Sequence, residues 1–296
     1  MTDLELIIKS IETAINDFEK NLPAVEKDIA SKVTALIAEL DIRQGHIKPT
    51  VANLRQLKVI RREINKIFQS GKYQKSVEEL QSSLSLIDAA NDKYFSAMVS
   101  EYSAPSVLQE VKSVTLSEIQ ESLLYSGINA NIVDGMADII KNNIFGGSTF
   151  YELNNSLKDF ILSSDDIPSR LASWSKQVVV DTIHQYSATY QQIVTDDLGL
   201  EWFEYVGGTV KDSREWCVAM VKKQFIHKSE LPEIIKGYVD GKKVEIYPKT
   251  GLPQGMIAGT NPNNVQVLRG GYNCQHLMPS VSKERVPVNI RKKFEK

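Results

Sequence analysis

Apolar residues recur at three- and four-residue steps through roughly the first two-thirds of this chain, and only an α-helix brings positions so spaced onto one face. Leu4, Ile7, Ile8, Ile11, Ile15, Phe18 and Leu22 make one such face; Val25, Ile29, Val33, Leu36, Ile37 and Leu40 make another. Pro23 stands between them, and its missing N–H predicts an interruption or kink. Gly45 and then Pro49 stop the second run. From Thr50 to Gln69 the apolar side is Val51, Leu54, Leu57, Ile60, Ile64 and Ile67, while Lys48, Arg55, Lys58, Arg62 and Lys66 form a basic stripe on another side. Such a stripe could follow a phosphate backbone or an acidic partner, and the reading adopted is a solvated helix face.

The most regular pattern runs from Tyr73 to Tyr102. Val77, Leu80, Leu84, Ile87, Asn91, Tyr94 and Met98 alternate steps of three and four, a coiled-coil-like seam with Asn91 as its polar member. A buried amide there is expected to fix one register at a cost in stability, either in a hairpin with the preceding helix or against a partner chain. Ala104-Pro105 ends this unit. Beyond it, Thr115-Leu116-Ser117-Glu118 has the spacing of a capping box opening a helix. Asn131 to Ile144 predicts another helix, and Gly146-Gly147-Ser148-Thr149 a turn into Phe150 to Leu162. Asp165-Asp166-Ile167-Pro168 opens a long helix from Ser169 to about Asp197, with Leu171, Trp174, Val178, Ile183, Tyr186, Tyr190 and Val194 on its buried side. His184 has no second His or Cys at helical spacing and reads as a packed histidine.

At Gly199 the character of the chain changes. Residues 1–200 carry 19 Lys and Arg against 27 Asp and Glu, whereas residues 201–296 carry 16 against 10, so a net −8 is followed by +6. The same last stretch holds 9 of the 16 glycines and 6 of the 10 prolines, which predicts short strands and loops in place of long helices. Leu200 to Val206 alternates as a strand, Asp212 or Ser213 is expected to cap a helix to Val221, and Asp240-Gly241 suits a hairpin turn. The class is therefore α+β: long N-terminal helices, as a hairpin or bundle, followed by a small loop-rich α+β C-terminal domain. The expected division is 1–104, 105–168 as a helical linker domain, and 169–296. No apolar run is long enough to span a membrane. The N-terminus lacks the basic start and apolar core of a signal peptide, so assembly in a cytoplasm with free thiols is expected.

Both cysteines lie in two short segments of the C-terminal region, Lys211-Asp212-Ser213-Arg214-Glu215-Trp216-Cys217 and Gly270-Gly271-Tyr272-Asn273-Cys274-Gln275-His276. Paired glycines allow positive φ or a close approach, and polar residues beside them are expensive to bury without partners. Three uses of these residues are open. Asp212, Arg214, Cys274 and His276 make a catalytic set, with Cys274 as nucleophile or His276 as general base. Cys217, Cys274 and His276, with His227 or Asp212, make a structural zinc set. In the third reading, the one adopted, Asp212 caps a helix, Arg214 pairs with a carboxylate, and the thiols pack as small apolar groups without metal or cofactor. No Walker-type phosphate loop, His-Glu-x-x-His or serine-nucleophile elbow is present, so catalysis is not expected.

The ordered pair of an Asp-x-Arg-x-x-Cys block and a Gly-Gly-x-Asn-Cys-x-His block, preceded by a long helix and the aromatic strand Trp202-Phe203-Glu204-Tyr205, resembles the phage Mu F-like minor head (head morphogenesis) proteins of tailed phages and prophages. The similarity covers roughly residues 169–281. It implies a minor capsid protein held inside the virion head, assembled in the host cytoplasm, close to the portal protein and other capsid proteins, and touching packaged double-stranded DNA without sequence preference. The structural motif would then be Cys217, Gly270, Gly271, Asn273 and Cys274. The tail residues Arg291, Lys292 and Lys293 have the charge to neutralise phosphates. Some relatives of this domain accompany toxin domains, which supplies a toxin-like or nuclease-like enzyme as the competing class.

Overall fold

A computed structural model describes residues 2–164 and 167–295; Asp165 and Asp166, expected to open a helix, lie outside the described residues. The fold is α+β and 64% helical, with long helices first and short strands and loops last. In chain order the helices are α1 (Asp3–Ile37), α2 (Val51–Phe68), α3 (Gly71–Met98), α4 (Val107–Leu123), α5 (Ser126–Ile128), α6 (Asp134–Gly146), α7 (Phe150–Ile161), α8 (Arg170–Asp197), α9 (Glu215–Lys223), α10 (Leu231–Ile235), α11 (Val265–Leu268) and α12 (Val288–Arg291). A π-helical turn, Asn129–Val133, joins α5 to α6. The strands are β1 (Ile42–Arg43), β2 (His46–Ile47), β3 (Trp202–Glu204), β4 (Phe225–His227), β5 (Tyr238–Val239), β6 (Lys242–Lys243), β7 (Ile246–Tyr247), β8 (Leu252–Pro253) and β9 (Ser280–Val281). Two compact units interleave along the chain, one from residues 1–11, 85–114 and 180–296, the other from 12–84 and 115–179. Helices α1, α3, α4 and α8 each contribute a part to either unit.

The second unit is helical. Pro23 sits inside α1 and does not end it. A proline removes one hydrogen bond of the ladder, and the burial of Leu22 and Val25 on either side supports the helix through that gap. Gln44 and Gly45 take positive φ, 54° and 78°, in a two-residue turn that pairs β1 with β2. Thr50 caps α2, whose Ile60, Ile64 and Ile67 are buried while Val51 stays exposed. Arg55, Lys58, Arg62 and Lys66 of the basic stripe face solvent while Lys48 is half-buried, and Lys66 and Arg62 both pair with Glu63. Helix α6 packs on α2 and α7. Gly147 at φ 63° closes α6, and Thr149 with Glu152 completes a capping box for α7. Thr115 does not open a helix: it is buried inside α4, which begins eight residues earlier at Val107. Buried Glu26 accepts hydrogen bonds from the Ser163 N–H and hydroxyl and from the Ser169 hydroxyl.

The first unit contains the small sheet, in the order β4-β3-β9 and antiparallel throughout. All three residues of β3 are buried because both faces of this central strand are covered. Trp202 joins Phe225, Val281 and Val286 on one side. Phe203 joins Tyr205, Trp216, Met220 and Ile226 in a larger core on the other. Glu204, on the Trp202 side, is neutralised by Arg285 at 2.8 Å and accepts from Gln224 at 3.0 Å. Strand β9 is held by Tyr94 of α3, which donates to the Ser280 carbonyl at 2.7 Å, and by Thr195 of α8, which donates to the Ser280 hydroxyl at 2.8 Å. The seam residue Asn91 is buried, and its partners are within the chain: it donates to the Ile87 carbonyl and the Ser187 hydroxyl and accepts from Gln191 of α8. Tyr186 and Tyr190 of α8 donate to Asp88 and Asp92 of α3. Leu171, Ile183, Tyr186, Tyr190 and Val194 are buried, whereas Trp174 and Val178 are half-buried.

Candidate functional site

The two motif segments, separated by more than fifty residues of hairpins and loop, are brought together. Arg214 is the joint. Its Nη1 donates to the Gly270 carbonyl at 2.6 Å and its Nη2 to the Tyr272 carbonyl at 2.7 Å, so one planar fork spans the double-glycine turn. Arg214 therefore satisfies backbone oxygens rather than a carboxylate. Asp212 does not cap the helix either. Helix α9 begins at Glu215 with Arg214 at the cap position, while Asp212 lies exposed in the preceding turn and the Ser213 hydroxyl accepts from the Val210 N–H. The turn itself is fixed from another direction. The Asn273 N–H, from a residue at φ 58°, donates to Asp181 of α8 at 2.8 Å, and burial raises the pKa of that carboxyl.

Behind the turn, Cys217, Cys274 and His276 converge. Cys217 points inward from the first turn of α9, and Cys274 and His276 sit two residues apart just before the bridge between Leu277 and Val206. Their donor atoms all lie within 4.8 Å of one another, and all three residues are buried. Both cysteines are free thiols. His276 Nδ1 is 3.6 Å from Cys274 Sγ, and the Tyr205 hydroxyl is 3.7 Å from Cys217 Sγ and 3.8 Å from Cys274 Sγ. The Tyr205 ring stacks on His276 at 5.1 Å and meets Trp216 edge-on at 5.5 Å. Two glycines make room for these atoms. A Cβ at Gly270 would come to 2.6 Å from Cys217 Sγ, and one at Gly207 to 2.6 Å from the His276 ring.

Electrostatically the two thiols behave as a pair. The hydrogen bond between their sulfurs is the largest influence on both. It pushes Cys217 up, with burial adding to it, and holds Cys274 below the ordinary thiol range. Burial opposes the lowering at Cys274, whereas the His276 hydrogen bond and the Arg269 charge favour it. Tyr205 is raised, first by burial and then by the negative charge of the sulfurs. Burial, reinforced by the Arg269 charge, pushes the pKa of His184 down to about 4.

Not every candidate reaches this cluster. Among the described residues, neither Asp212 nor His227 belongs to it. His227 instead stacks on Phe294, meets Trp202 edge-on and bonds Ser229. Arg291, Lys292 and Lys293 lie at the end of α12, the lysines exposed and Arg291 donating to the Lys283 carbonyl. Tyr205, Asp181 and the buried Arg269 were not singled out by sequence reasoning, since nothing in their local spacing distinguishes a strand tyrosine or a helix aspartate that meets a distant turn. Comparison of the chain with family models, with curated proteins and with solved structures gives no match.

Proposed function

We propose that this chain is a minor structural head protein of a tailed phage or prophage, acting in head morphogenesis near the portal and touching packaged DNA. The observation that carries the reading is the fork of Arg214 on the carbonyls of Gly270 and Tyr272. The two sequence blocks that resemble Mu F-like proteins form one folded element, in which Arg214 supports the backbone and Asp212 faces solvent. These roles favour a structural component over a catalyst, because Arg214 is engaged in holding a turn and Asp212 lies away from Cys274 and His276. That no helix among the described residues is long and apolar enough to cross a membrane accords with it. The net +6 of residues 201–296 supports contact with phosphate, and the acidic remainder of the chain suits protein partners such as a portal.

Duplex binding tests the DNA part. The full chain should bind unrelated duplexes equally, with the logarithm of affinity falling linearly in the logarithm of salt concentration. Changing Arg291, Lys292 and Lys293 to Gln should flatten that slope by about 0.9 for every phosphate no longer neutralised. Failure to bind at low salt would remove DNA from the proposal. The location of the reading frame tests the class: a position between portal and scaffold or major capsid genes is expected, whereas a lone frame beside an immunity-like gene would favour a toxin.

A further inference from the structure

We infer that Cys217, Cys274 and His276 form a structural zinc site, with the Tyr205 hydroxyl against its fourth face. This rests on the geometry of the cluster and stands independently of the head-protein reading. Tetrahedral zinc bound at about 2.3 Å by sulfur and about 2.0 Å by nitrogen or oxygen requires donor separations of about 3.8 Å between sulfurs and about 3.6 Å between sulfur and nitrogen or oxygen. The site offers 3.6 Å from Cys274 Sγ to His276 Nδ1. From the Tyr205 oxygen it offers 3.7 and 3.8 Å to the two sulfurs. Three edges thus match those of a zinc tetrahedron, and the two sulfurs and the imidazole nitrogen all lie within 4.8 Å of one another, so the longest of their separations closes by up to about an ångström when the ion is seated.

The surroundings are built for this convergence. Gly270 is the wall behind both sulfurs, since a Cβ there would stand 2.6 Å from Cys217 Sγ and 3.2 Å from Cys274 Sγ. The backbone after the ligands is pinned on both sides of the bridge, Val206 N–H to the Leu277 carbonyl and Leu277 N–H to the Val206 carbonyl, each at 2.9 Å. His276 presents Nδ1 to Cys274 Sγ, which makes it the ring nitrogen placed to reach a metal at the cluster. Thiolate and imidazole donors select zinc over magnesium or calcium, which take oxygen. With Tyr205 and Trp216 packed over it the site is closed, as structural rather than catalytic zinc sites are. The two cysteines bind as thiolates and their protons leave to solvent. The ion would tie the start of α9 to the double-glycine turn and the chain leading to β9, in a region whose hairpins are only two residues per strand.

The test uses the full chain purified under reducing conditions. Elemental analysis should find about one zinc per chain, and replacement by cobalt(II) should produce a thiolate-to-cobalt charge-transfer band in the near ultraviolet. Both should be lost in the double variant Cys217→Ser with Cys274→Ser. Should that variant fail to fold, titration of the wild-type thiols with an organomercurial decides: zinc should leave in step with modification of both thiols. Release that precedes thiol modification overturns the site. So does a reduced, folded chain that takes up neither zinc nor cobalt when either metal is supplied in excess. Detection of a Cys217–Cys274 disulfide in the chain as isolated, with no free thiol on unfolding, overturns it too.

Discussion

Replacing Asn91 by Leu gives opposite results depending on what the amide faces. In a seam against another chain, a leucine would strengthen the pairing and relax its register. Here Asn91 is fully buried against α8, with Nδ2 donating to the Ile87 carbonyl at 2.9 Å and to the Ser187 hydroxyl at 3.4 Å, and Oδ1 accepting from Gln191 at 3.1 Å. Leucine has a similar volume, so no large cavity opens. Gln191, itself 1% exposed, is left with an amide hydrogen and no acceptor, and the Ser187 hydroxyl is left without its amide donor. At about 1–2 kcal/mol for each orphaned group, the lower part of the usual range, Asn91→Leu is about 2–4 kcal/mol destabilising. For a chain of this size each kcal/mol moves the melting midpoint by about 2 °C, so scanning calorimetry should show a fall of about 4–8 °C. Adding Gln191→Leu removes the orphaned amide and should recover part of the stability, a coupling of about 1 kcal/mol or more. A raised or unchanged midpoint, with additional species in sedimentation, would refute the intrachain network.

Two further outcomes follow from buried polar groups. Arg214→Met should lower stability to urea by about 2–3 kcal/mol through removal of the two charged hydrogen bonds, and Arg214→Lys should recover little because an ammonium cannot reproduce the fork; full recovery by lysine would show that only charge matters. For His184, the folded pKa of about 4 lies below the ordinary 6.5, so the unfolded chain binds the proton more tightly. The stability His184 contributes is complete above pH 6.5 and is lost as pH falls toward 4, up to about 3 kcal/mol. His184→Gln should flatten that part of the acid limb of the stability profile, and an unaltered limb would contradict its burial as a neutral imidazole.

The long helices were legible because one face of each is apolar over many turns, and that signal survives local exceptions such as Pro23. Asp240 and Gly241 announced their hairpin through the need for positive φ, found at 48° and 74°. Thr115 misled because a Ser/Thr-x-x-Glu spacing has the same form inside a helix as at its start, and only the burial of α4 decides between them. At the site, sequence brought the two cysteines and His276 together as one of several options. It could not supply Tyr205, which reaches the sulfurs from the end of a strand, or show that Arg214 would spend its guanidinium on backbone carbonyls. The arginine fork and the Tyr205–Cys274 approach join positions more than fifty residues apart and leave no periodic trace. The interleaving of the two compact units is equally invisible locally, since a helix that serves both has one unbroken pattern.

The central claim is a place in the phage head, and quantitative mass spectrometry of purified, nuclease-treated, DNA-filled heads from the producing phage or induced prophage tests it most directly. The account predicts this chain in the particles at a few copies for each portal, retained after removal of free protein by density-gradient sedimentation. Its absence from heads that contain portal and major capsid protein, with the chain recovered only in the soluble lysate, would contradict it.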